Sequence, residues 1–133
     1  MPGLCGITSN RTDSPTPDLN PMLRTLSYGR ATVTEHHREK TIALGCAHLG
    51  TGGQRALYKS PEAVVVFFGH LTRPPIPPGA DGSEPAMAAR HIHDLYVEHG
   101  ESMLDQVAGA FAFALLDRRT QVLLLVTDHL GLR

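Results

Sequence analysis

Cys5 carries the most reactive side chain near the start of the chain, in the segment Leu4-Cys5-Gly6-Ile7. A thiol becomes a nucleophile when a base takes its proton. The α-amino group of a first residue can be that base, because its pKa is about 7.7–8.0. Cys5 has this base only if it is itself residue one. Removal of Met1 leaves Pro2-Gly3-Leu4 ahead of it, and a peptide nitrogen accepts no proton. Read alone, Cys5 is a small buried residue on a strand.

The chain has 8 His and 2 Cys. The closest groupings are Cys46-Ala47-His48 and His91-Ile92-His93-Asp94. Residues two apart share a face on a strand, so Cys46 and His48 can point the same way. On a helix the same spacing sends His91 and His93 to different faces. Neither a CxxC nor an HxxxH pattern accompanies them, so no metal and no cofactor is expected. The histidines are read as packed or solvated, with His36-His37 at the surface. Gly50-Thr51-Gly52-Gly53 lacks the Lys-Ser/Thr of a phosphate loop and reads as a turn.

These residues need elements to hold them. Leu4 to Ile7 reads as a strand. Asp18 is a possible N-cap, Pro21 suits a first turn, and Met22, Leu23 and Leu26 recur at helical spacing up to Ser27. Thr32 to Lys40 is polar and reads as a loop or an edge hairpin. Thr41 to His48 reads as a strand, and Glu62 to Gly69, with three consecutive Val before two Phe, as a buried one. Pro74 to Gly79 favours polyproline II. A helix is expected from Asp81 or Ser83 to Gly100, buried along Ala88, Ile92, Leu95 and Tyr96. A second short helix holds Met103, Leu104 and Val107. Ala110–Leu116 and Gln121–Thr127 read as a hairpin around Asp117-Arg118-Arg119-Thr120. Strands cluster and helices cluster, which is an α+β pattern.

The 133 residues suit one domain, 1–133. Lys plus Arg number 12 and Asp plus Glu 13, a net charge of -1. That balance gives no electrostatic reason for nucleic acid or an acidic membrane surface. A chain with 41% hydrophobic and 19% charged residues is too apolar for disorder. Its apolar runs fall short of the roughly 20 residues that span a bilayer. With no secretory leader and two cysteines, the reading is a cytoplasmic protein with reduced thiols.

Several segments together resemble the glutaminase domain of asparagine synthetase and related class II glutamine amidotransferases, which are N-terminal nucleophile (Ntn) hydrolases. That family opens Met-Cys-Gly-Ile, and Cys5-Gly6-Ile7 matches after a longer start. The family's Leu-Gly-His-Arg-Arg-Leu-Ser-Ile is met by Leu44-Gly45-Cys46-Ala47-His48-Leu49-Gly50-Thr51. Its Val-Val-Phe-Asn-Gly-Glu is met by Val65-Val66-Phe67-Phe68-Gly69-His70. The segment from Leu104 to Arg119 resembles its "LLDRLNGMFAFALWDRR", and Leu123 to Arg133 its "LLLARDRLGIK".

The resemblance implies an αββα sandwich, two antiparallel sheets between helix layers, incomplete at its C-terminal end. It implies Cys5 as nucleophile and the Gly69 N–H as an oxyanion donor. His48, Leu49, Thr51, Phe68 and His70 would then border a glutamine or related amide. The ammonia released would serve a synthetase partner, and exposed sheet edges would suit that partner or a homo-oligomer.

The departures bear on activity. The oxyanion Asn is Phe68 here, and loss of one such donor typically costs about 10²–10³ in rate. The Arg that holds the substrate carboxylate is His48, which cannot make a bidentate pair. The expected alternatives are a silent binding or assembly module, or a site for a less polar amide or acyl group with Phe68 in its wall.

Overall fold

The computed structural model describes residues 3–10, 18–27, 29, 32–49, 56–75 and 84–131, with side chains from 87 onward in the last stretch. Three strands form the first sheet: β1 (Gly3–Thr8), β2 (Thr32–Glu39) and β3 (Ile42–Leu49). Their order is β1-β3-β2, and both pairings are antiparallel. Four strands form the second: β4 (Leu57–Lys59), β5 (Ala63–Arg73), β6 (Ala108–Asp117) and β7 (Val122–Thr127). They run β4-β5-β6-β7, again antiparallel.

Alternation along the strands sets the layers. Leu44 and Cys46 of β3 pack with Val64 and Val66 of β5 and Ala114 and Leu116 of β6, which joins the sheets face to face. The other face of the second sheet, including Val65, Phe67, Phe113 and Leu115, packs on α2 (Glu84–His99). Leu19 and Leu23, at and within α1 (Asn20–Leu26), cover Ala43 on the outer face of the first sheet. The order is therefore helix, sheet, sheet, helix, an α+β sandwich. β5 is buried on both faces, which is why its sequence is a run of Val and Phe rather than an alternation.

The expected helices are present. The first begins later than expected, with Leu19 rather than Asp18 at its N-cap; Asp18 Oδ1 instead accepts the Asn20 N–H at 3.1 Å, and Pro21 lies in the first turn of α1. Ala88, Ile92 and Tyr96 are buried along α2, with Leu95 partly so. The segment with Met103 and Leu104 is a 3₁₀ helix, Gly100–Gln106, and buries Met103. Thr32–Lys40 forms the edge hairpin, its strand β2 pairing with β3 at the rim of the first sheet. Two other expectations are corrected, the surface place of His37 and the lack of a strand between β3 and β5. His37 is buried on β2, while His36 is exposed, because Glu35, His37 and Glu39 turn toward the second sheet and find polar partners there. β4, three residues long, adds an edge strand where none was expected. Thr51 and the Gly50–Gly53 turn lie outside the described residues, as does the end of the proline segment.

Asp117 ends β6 and anchors the hairpin. Its Oδ1 accepts the N–H of Arg119 at 2.8 Å and of Thr120 at 3.3 Å, and its Oδ2 accepts the Tyr96 hydroxyl at 3.1 Å. Burial opposes the charge, but these bonds outweigh it and hold the carboxyl below its ordinary value. Tyr96→Phe removes one of these bonds and leaves the carboxylate still partnered, by the two N–H groups and by Arg119 Nη2 at 3.5 Å. The expected loss is about 1 kcal/mol, read from urea unfolding midpoints.

Candidate functional site

Cys5 is the third residue of β1, paired with Gly45 of β3. It packs with Ile7 against Leu19, Leu23 and Ala43, so its side chain lies on the α1 face of the first sheet. Burial pushes its thiol above the ordinary value, and no positive charge offsets this. A raised thiol is a poor nucleophile at neutral pH. Cys46 pairs with Leu4 and faces the other sheet, where burial, then the Glu35 charge, push it up to about 12. The two cysteines are free thiols on opposite faces of one sheet.

Cys46 and His48 share a face of β3, as their spacing expects. The register sets Glu35 opposite Cys46 and Val33 opposite His48. His48 is buried, with Nε2 3.4 Å from Glu35 Oε2 and Nδ1 3.4 Å from the Leu49 carbonyl oxygen. The Ala56 N–H also donates to the Glu35 carboxylate. Where the resemblance expects a cation to receive a substrate carboxylate, His48 therefore already faces an acid. A second carboxylate there meets like charge at close range. Leu49 is exposed.

Phe68, Gly69 and His70 lie on β5 of the second sheet, opposite Ala112, Phe111 and Ala110 of β6. Alternation puts Phe68 on the side of Val64 and Val66, toward the first sheet. Gly69 has φ +121°, and a Cβ there would lie 2.2 Å from the Ala110 carbonyl oxygen. Cys5 thus lies on the α1 face of the first sheet, His48 on its inner face beside Glu35, and Phe68 on the facing side of the second sheet.

A groove of about 480 Å³ runs between β1 and β7. Its walls are mostly apolar and include Leu4, Ile7, Leu44, Phe113 and Leu125, and Cys5 borders it. His48, Phe68, Gly69 and His70 do not line it, so it is not the apolar pocket expected around Phe68. Leu125, among its lining residues, is 74% exposed. β7 is paired on one side only, among the described residues.

A polar group absent from the sequence reading lies at the other side of the sandwich. Ser60 Oγ is 2.8 Å from His93 Nε2, and His93 Nδ1 is 2.8 Å from Asp94 Oδ1. Ser, His and Asp in this order can activate a serine. Here the N–H groups of Glu62 and Ala63 both donate to Oγ at 3.1 Å and occupy its two lone pairs. Glu62 Oε2, at 2.7 Å, competes with His93 for its one proton. Ser60 therefore holds a turn and ties it to α2. Residues 33 positions apart give no local signal of such a contact.

Residues 83–133 match the family model of the glutamine amidotransferase domain. The matched stretch comprises α2, the 3₁₀ helix, β6 and β7, and it stops short of Cys5, His48 and Phe68–His70. The amidotransferase match therefore rests on the scaffold of the second sheet and its helix. No curated protein matches the chain. Among the described residues, no helix is long and apolar enough to cross a membrane.

Proposed function

We propose that the chain is a glutaminase-type domain of the asparagine synthetase kind, built on an Ntn-type sandwich to serve a synthetase partner, and that it does not hydrolyse glutamine as it stands. The amidotransferase match and the two-sheet, two-helix layering support the first half. The second half rests on one observation. Cys5 is an interior residue of β1, so its nitrogen is a peptide nitrogen, and burial raises its thiol.

In the reaction proper to such domains, a thiolate attacks the amide carbon of glutamine. The amide nitrogen leaves with a proton as ammonia, and water cleaves the thioester to glutamate. The proton must pass from the thiol to the leaving nitrogen through a base, which Cys5 lacks. Phe68 offers no donor to the oxyanion, and Glu35 opposes a carboxylate near His48. What remains is a folded domain able to contact a partner.

A diazo-ketone analogue of glutamine tests this. Intact mass after incubation is expected to show no adduct on the 133-residue chain. An adduct mapped to Cys5, and lost in Cys5→Ala, would overturn the silent reading.

A further inference from the structure

One edge of the sandwich is closed by charge rather than by apolar contact. Glu39 of β2 receives Arg118 Nε at 2.8 Å, from the turn between β6 and β7. Arg118 Nη1 donates to the Ser60 carbonyl at 2.5 Å, so one guanidinium ties β2, the β4–β5 turn and the β6–β7 hairpin together. His37 is buried beside them. Its Nε2 lies 3.1 Å from Glu39 Oε2 and 3.5 Å from Arg118 Nη2.

The proton count of this cluster is fixed by its neighbours. Arg118 only donates. A neutral His37 that donates from Nε2 to Glu39 leaves one carboxylate shared between an uncharged donor and one cation. A second proton, on Nδ1, makes His37 a cation 3.5 Å from a guanidinium. The charged groups facing His37 are Glu39 on its own strand, Arg118 from the hairpin and Lys59 of β4. Two of these three are cations.

We infer that this edge is an acid-opened latch: a proton on His37 adds a third cation, beside Arg118 and Lys59, against the single carboxylate of Glu39 and lets the hairpin turn part from β2. The direction of titration agrees with the geometry. Burial, chiefly, holds His37 below its ordinary value of 6.5. The unfolded or opened chain therefore binds the proton more readily, and the closed form loses stability as pH falls below about 6.5. Glu39 acts in the same sense at lower pH. Burial would raise it, but its bonds from His37 and Arg118 win and hold it low. Its contribution is lost as pH falls through the ordinary carboxylate range.

Amide hydrogen exchange of the whole chain tests the latch, with rates corrected for intrinsic pH dependence. Protection of β2 is expected to fall severalfold between pH 7.5 and 5.5, while the β5–β6 pair stays protected. In His37→Gln the β2 protection is expected to be the same at both pH values. In Arg118→Gln it is expected to be low already at pH 7.5 and to fall no further. The inference is overturned if wild-type β2 protection is constant across this window. It is equally overturned if either variant shows the wild-type fall. A variant that does not fold leaves the wild-type profile and the other variant to decide.

Discussion

Gly69→Ala is expected to leave the chain largely unfolded. The backbone at Gly69 has φ +121°, a region closed to side-chain-bearing residues, and β6 passes close by. An added Cβ would sit 2.2 Å from the Ala110 carbonyl oxygen and 2.7 Å from the Phe111 Cα. Both are backbone atoms of the central strand pair and cannot rotate away. Gly109 repeats the arrangement in reverse, with φ +152° and a Cβ position 2.2 Å from the His70 carbonyl oxygen. The expected loss is about 4 kcal/mol or more, a large part of the stability of a domain this size. Circular dichroism and urea unfolding check it, with His70→Ala at the exposed neighbouring position as a mild control. The result matters for function. A glycine at 69 is required by the packing of β5 on β6, whether or not its N–H ever meets an oxyanion.

A chain trimmed to begin at Cys5 is expected to be the form in which position 68 controls rate. Trimming supplies an α-amino base with pKa about 7.7–8.0. It also ends the sheet pairing of Gly3 and Leu4 and frees the thiol to turn from under Leu23. In that form Phe68→Asn is expected to raise ammonia release from glutamine by about 10²–10³-fold, the usual worth of one oxyanion donor. In the untrimmed chain the same substitution is expected to change nothing, because no tetrahedral intermediate forms there. KM is expected to stay high in the trimmed chain with either Phe or Asn at 68, since Glu35 still faces His48. Turnover by the untrimmed chain, or equal rates for Phe and Asn in the trimmed one, would contradict this account of Cys5 and Phe68.

The long apolar elements are legible in the sequence because their burial repeats locally. β5, β6 and the Ala88–Ile92–Tyr96 stripe of α2 are of this kind. β2 is not, since its inward residues are Glu35, His37 and Glu39. Arg118, 79 residues from Glu39, partners Glu39 and lies beside His37, while Glu35 is met by His48 and the Ala56 N–H, and no short window along the chain holds these partners together. β4 is too short for a pattern. At the candidate site, the apolar flanks of Cys5 tell its half-buried place on a strand. The shared face of Cys46 and His48 follows from their spacing. The acid beside His48 does not, because it depends on the register between β2 and β3.

The open flank of β7 bears on how the isolated chain behaves in bulk. Val122 to Thr127 is uncharged and free of proline, and Leu125 stands 74% exposed beside it. A hydrophobic strand margin that no other described strand covers invites strands from other molecules, and its own residues carry no charge or proline to resist them. Concentrated material is therefore expected to aggregate through this margin, and a lysine in place of Leu125 is the gatekeeper expected to slow it.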